Sequence, residues 1–175
     1  MTNNTTRNTQ KIVLSGLFIA LAILIPIIMP IKFTDGVFSA TLASQTPIVL
    51  AMFINPYIAV AVCIGSVIGF AMTLGPIVAL RASMHIPFAL VGSIMIKKKM
   101  PLYMVIIVTT ILHALAEVLI IWILYGFMGI SFLKGKLLSS TLLLIGFGTM
   151  IHYLIDFAIA MGIYKPLEKN FFNRL

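Results

Sequence analysis

Three pairs of ionisable residues stand four positions apart inside otherwise apolar runs: Arg81 and His85, His113 and Glu117, His152 and Asp156. Four positions is a little over one helical turn, so each pair shares a face if its run is helical. Charge in the middle of a long hydrophobic run is costly and needs either a partner or a function. Arg81 offers a planar, permanently charged fork that matches a carboxylate, and Glu117 with His85 or His113 can bind a ring nitrogen or polar edge. The plainer reading is an Arg81–Glu117 ion pair, with the histidines meeting helix–helix hydrogen bonds. The two readings are compatible, because an arginine balanced by Glu117 can be re-paired by an anionic ligand.

Other chemistries are poorly served. On paper the three histidines, Glu117 and Asp156 could hold a divalent ion, but their spacing selects no metal, and neither His-Glu-x-x-His nor Cys-x-x-Cys occurs. A P-loop and a Gly-x-Ser-x-Gly nucleophile are also absent, so ATP hydrolysis within this chain is not expected. The single cysteine, Cys63, rules out an internal disulfide and reads as a small packing residue. Neither a cofactor nor a metal is expected.

The elements that position these groups are membrane helices. Of the 175 residues 61% are hydrophobic and only 9% charged, and the mean hydropathy is +1.16. A soluble domain of this length cannot hide so much apolar surface, so lipid is the solvent for part of it. The net charge of +8 does not point to nucleic acid, because the basic residues cluster between apolar runs, as they do when flanking spans. Six apolar segments can be drawn, over residues 12–29, 41–54, 57–74, 77–96, 102–127 and 137–164. Runs this long without strand alternation are helices. The second is short and carries Pro47, so it reads as broken or partly re-entrant. The fold class is therefore an all-α integral membrane protein with six transmembrane helices. Residues 1–11 read as a cytoplasmic N-terminal segment, 12–164 as one membrane domain and 165–175 as a cytoplasmic tail. The orientation comes from Arg7 and Lys11, Lys97, Lys98 and Lys99, and Lys165, Lys169 and Arg174, against Lys32, Lys134 and Lys136 opposite. Both termini then face the cytoplasm, and segments 30–40 and 128–136 lie outside.

With that topology Arg81, His85 and Glu117 fall at similar depths in the outer half, with His113 nearer the middle. Ser44, Gln45 and Thr46 open the second segment on the same side. Trp122 and Tyr125 line the outer end of the fifth, where their rings can stack on a ligand or anchor at the interface. His152 lies at the depth of His113 and can form a pocket floor. Asp156, one turn deeper, reads as scaffold paired with that histidine. In the first helix Gly16 and Ala20 put two small residues on one face, fit either for packing within the bundle or for docking to a partner. Gly65 and Gly69 in the third favour packing within the bundle.

Taken together, these residues resemble a family. Length, helix count, the small face on helix one and the missing nucleotide site are similar to the substrate-binding S components of energy-coupling factor (ECF) transporters. The run from Ala40 to Pro56, with Arg81-Ala82-Ser83-Met84-His85 and His113-Ala114-Leu115-Ala116-Glu117, resembles the niacin branch most. The resemblance implies a vitamin-binding subunit in a bacterial cell membrane, its outer pocket capped by the loop between helices one and two. It also implies docking to a transmembrane coupling protein driven by two cytoplasmic ATPases, with toppling to release substrate inside. The family's coupling contact is an Ala-x-x-x-Ala face; here Gly16 replaces the first alanine and Ala20 supplies the second. Nicotinate, with one carboxylate and one ring nitrogen, suits Arg81 plus a histidine or glutamate; pantothenate, biotin, riboflavin and pyrimidine precursors remain alternatives. A stand-alone proton-coupled carrier using His113, Glu117 and Asp156 as a relay is a further alternative, against which stands the lack of an inverted repeat. An intramembrane enzyme lacks its motifs, and a purely structural subunit would bind no ligand.

Overall fold

The computed structural model describes residues 2–35, 38–127, 139, 141–168 and 172. Lys134, Lys136, Lys169 and Arg174, used above to orient the chain, lie outside the described residues, as does the 128–136 connection. Helix α1 spans Thr2–Ile28 and a hairpin follows, β1 Lys32–Asp35 and β2 Phe38–Thr41. Then come α2 Thr46–Met52, α3 Pro56–Leu74, α4 Pro76–Ser83, α5 His85–Lys97 and α6 Leu102–Phe127. A π-helical stretch, Thr141–Phe147, leads into a last helix, here α7, over Gly148–Glu168. Among the described residues five stretches are long and apolar enough to cross a membrane: Thr5–Ile28, Pro56–Leu74, Pro76–Lys97, Leu102–Phe127 and Leu143–Glu168. Their outward faces carry exposed Ile12, Leu17, Ile68, Ile107 and Leu115, as expected where lipid is the solvent.

The second apolar segment is the exception among the six. Only Thr46–Met52 is helical, seven residues, all buried. Thr41 belongs to β2, and a turn through Ala43, at φ 62°, intervenes before the helix starts. Pro47 sits in the first turn, where its missing N–H costs nothing. Seven residues make a rod of about 10 Å, far short of the hydrocarbon core. Enclosed by the longer helices, α2 needs its terminal carbonyls satisfied by protein, and the Ser93 hydroxyl donates to Met52 O at 2.8 Å.

Two further breaks shape the bundle. Gly75, at φ 83°, turns the chain sharply between α3 and α4 in a conformation that favours glycine. At Met84 the fourth span is interrupted, the Met84 N–H reaching Arg81 O at 2.9 Å, so α4 and α5 are separate pieces of one membrane-length stretch.

Helix α1 lies against α3 through Leu14, Phe18 and Ala22. The close approach is made by α3's glycines: a Cβ on Gly65 would stand 3.0 Å from Ile19 O, and one on Gly69 only 2.5 Å from Ile23 O. Backbones this near leave no room for a side chain. Gly69→Val is therefore expected to cost about 3 kcal/mol or more, because backbone rather than a flexible side chain must move. A thermal melt in detergent reads this directly; an unchanged midpoint would show that α1 can drift off α3 freely.

Candidate ligand-binding site

The site forms where α4, α5, α6, α7 and the hairpin meet the turn before α2. Arg81, in the last turn of α4, is 3% exposed. Its Nε donates to Glu117 Oε2 at 2.6 Å, and Nη1 donates to Ser39 Oγ at 3.1 Å. The guanidinium also lies 5.9 Å from the centre of the Phe38 ring, within cation–π range. One side chain thus ties α4 to α6 and to the hairpin. His85 opens α5, and its ring meets the His113 ring edge-on at 5.1 Å. Glu117 Oε1 lies 3.7 Å from His113 Nε2. Beneath them Phe88 and Tyr153 pack at 4.7 and 5.6 Å from the His113 ring, and Tyr153 donates to Thr109 Oγ1 at 2.9 Å.

The opposite wall is held by Asp156. Its Oδ1 accepts from the Ala43 N–H and its Oδ2 from the Gln45 N–H, each at 2.8 Å. Thr46 adds a bond to the Asp156 carbonyl at 3.3 Å. This clamp fixes the turn that presents Ser44 and Gln45, and Ser44 Oγ meets His152 Nε2 at 3.4 Å. His152 Nε2 is 3.8 Å from Asp156 Oδ2, beyond hydrogen-bond distance. The main partners of Asp156 are therefore two backbone amides more than a hundred residues away, with His152 a bystander.

Between these walls is a cavity of about 20 Å³, lined by Ser39, Thr41, Ser44, Gln45, Arg81, His85, His113, Glu117, Thr149 and His152, with Phe70, Val78 and Ala82 as apolar wall. Five buried polar atoms on its lining have no hydrogen-bond partner among the described residues: Thr41 Oγ1, Gln45 Oε1, His85 Nδ1 and both ring nitrogens of His113. Nearly all buried polar groups in native interiors are partnered, so a cluster of exceptions on one cavity makes it the candidate place for a polar ligand or ordered water.

Of the residues singled out from sequence, Arg81, His85, His113, Glu117, Gln45 and His152 converge on this cavity. Trp122 and Tyr125 do not line it. Five positions beyond Glu117, Trp122 points to the far side of α6 and is 52% exposed. Tyr125 shares the inward face but lies two turns on, buried with Phe38, Ile121 and Ile145. Gly16 and Ala20 are exposed on α1, and a Cβ on Gly16 would meet nothing within 4 Å. Ser39, Thr41 and Thr149 were not picked out. Thr149 stands three residues before His152 on the same helical face, a signal that was there to read.

Membrane-length helices around a small polar cavity, with a buried cation on its wall, define a multi-pass membrane protein with a candidate site for a small polar solute. Comparison with known proteins agrees: the chain is similar to the niacin transporter NiaX of Lactococcus lactis subsp. cremoris (strain MG1363), 33% identical over 179 aligned positions that cover 98% of this chain and 80% of that one. The chain belongs to that transporter's family, the niacin-type S components, and is a transport protein of the bacterial cell membrane rather than an enzyme. No family model and no solved structure matches it.

Proposed function

We propose that this chain captures nicotinate in the Arg81 cavity and delivers it as the vitamin-binding subunit of an ECF importer. The observation that carries the reading is the convergence, on one small cavity, of a charged guanidinium and five polar atoms without a hydrogen-bond partner among the described residues. The vitamin's carboxylate takes the fork of Arg81, and its ring nitrogen accepts a hydrogen bond from His85 or His113. Gln45, Ser44 and His152 complete the polar lining, and Asp156 holds their turn. A cavity of about 20 Å³ has room for a water-sized group, less than a pyridine carboxylate needs. The lining therefore has to move when the vitamin binds, and the Ser39–Arg81 contact ties the hairpin to that lining as its cap in this proposal.

Both termini face the cytoplasm in this proposal, by the bias of Arg7, Lys11, Lys97, Lys98, Lys99 and Lys165. The exposed Gly16 and Ala20 face of α1 docks on the transmembrane coupling protein, and two cytoplasmic ATPases supply the work. A proton relay through Asp156 is disfavoured, because its carboxylate oxygens are already engaged by the Ala43 and Gln45 amides.

Titration calorimetry of the purified chain with nicotinate, nicotinamide, pantothenate and biotin tests the substrate. Nicotinate alone should bind tightly, without ATP; an equal, weak response to all four overturns the reading. For coupling, Gly16→Trp should leave binding intact, since nothing surrounds that position, and abolish uptake by the assembled importer. Undiminished uptake by that variant would remove α1 as the docking face.

A further inference from the structure

The spacing of the histidines in sequence selects no metal, yet the fold assembles a ligand set. One donor atom each from His85, His113 and Glu117 lies within 4.8 Å of the others, and all three residues are buried. His113 Nε2 and Glu117 Oε1 are 3.7 Å apart. Two donors on a tetrahedral ion, each about 2.0–2.1 Å from it, stand about 3.4 Å apart, so side-chain shifts of about an ångström complete the geometry. Three imidazole nitrogens here lack hydrogen-bond partners among the described residues: His85 Nδ1 and both of His113. Arg81 pairs with Glu117 through Oε2, which leaves Oε1 directed at His113 and free of the guanidinium. Gln45 Oε1, also unpartnered, lines the same cavity and can fill a fourth position.

We propose that His85, His113 and Glu117 bind one divalent transition-metal ion of the zinc, cobalt and nickel class, and that the ion and nicotinate exclude each other. Imidazole with carboxylate favours these metals over magnesium or calcium. Exclusion follows because His85 and His113 would serve both the ion and the vitamin's ring nitrogen, and this half of the proposal rests on the vitamin occupying the cavity. Arg81 opposes the ion by charge repulsion while it attracts the vitamin, so its removal acts on the two ligands in opposite directions.

The test uses the untagged full chain in detergent, freed of metal and titrated with Co²⁺. One ion per chain is expected, with the visible absorption of a tetrahedral nitrogen–oxygen site, bleached by Zn²⁺ and indifferent to Mg²⁺. His85→Leu and His113→Leu should each weaken Co²⁺ at least tenfold, whereas Cys63→Ala leaves it unchanged. Arg81→Gln should tighten Co²⁺ several-fold and weaken nicotinate, a divergence that loss of folding cannot produce. Zn²⁺ should raise the apparent Kd of nicotinate in proportion to its concentration. Absence of a stoichiometric Co²⁺ signal, or a signal that survives both His→Leu changes in folded protein, overturns the metal site. A ternary complex overturns the exclusion. Should nicotinate fail to bind the unaltered chain, the vitamin reading falls while the Co²⁺ titration still decides the metal site.

Discussion

Arg81→Ala should reduce nicotinate affinity at least a hundredfold, about 3 kcal/mol, and also lower thermal stability. The two losses have different origins. Affinity falls because the carboxylate loses a charge-assisted, fork-shaped partner. Stability falls because Glu117, 4% exposed, is left as a buried charge without the guanidinium 2.6 Å away. Removing one member of a buried pair costs about 3–5 kcal/mol, whereas replacing both by neutral groups of similar volume is often harmless. The double variant Arg81→Met, Glu117→Gln should therefore regain most of the melting midpoint and none of the affinity. Calorimetry and a detergent melt on the three proteins separate the effects. Affinity unchanged in folded Arg81→Ala would reduce the residue to a structural ion pair.

Asp156→Ala is the second large effect. Two short bonds to backbone amides disappear, each about 1.5–3 kcal/mol for a charged acceptor, and the amides of Ala43 and Gln45 are left buried. Those bonds also hold Ala43 at φ 62°, a left-handed conformation that costs a non-glycine residue about 1–2 kcal/mol. A drop of about 3 kcal/mol or more is expected, with nicotinate binding weakened because Ser44 and Gln45 are no longer presented to the cavity. Asp156→Asn should fall between, since an amide oxygen can still accept from one N–H. Full stability with lost pH-driven uptake would instead make Asp156 a proton carrier.

The core of this site was legible in the sequence because its cost was visible. Arg81 and Glu117 are conspicuous in apolar runs, and helical spacing plus depth places them side by side. The partners of Asp156 were not legible, because backbone amides leave no mark in composition; His152, one turn away, was the only candidate in view. The break at Met84 was hidden for a similar reason, since methionine is a good helix former and hydrophobicity continues across it. The hairpin escaped because Lys32–Asp35 and Phe38–Thr41 are strands of four residues each, too short for alternation to stand out. Trp122 and Tyr125 read either as rings stacked on a ligand or as interface anchors; five positions from Glu117 turns Trp122 to the outer face and eight carries Tyr125 two turns away, so neither lines the cavity.

Helix α1 has 27 residues, about 40 Å at the usual helical rise, while the hydrocarbon core of a bilayer is about 30 Å thick. The surplus is the polar start, Thr2 to Lys11, which continues the helix. This polar start of α1 is therefore a stiff handle rather than a loose thread. A label placed there moves with the rod, so its angle to the membrane plane reads the tilt of the first span directly. Any turning of the whole bundle within the bilayer becomes a sweep of that handle, large enough to follow by orientation-sensitive spectroscopy without touching the site.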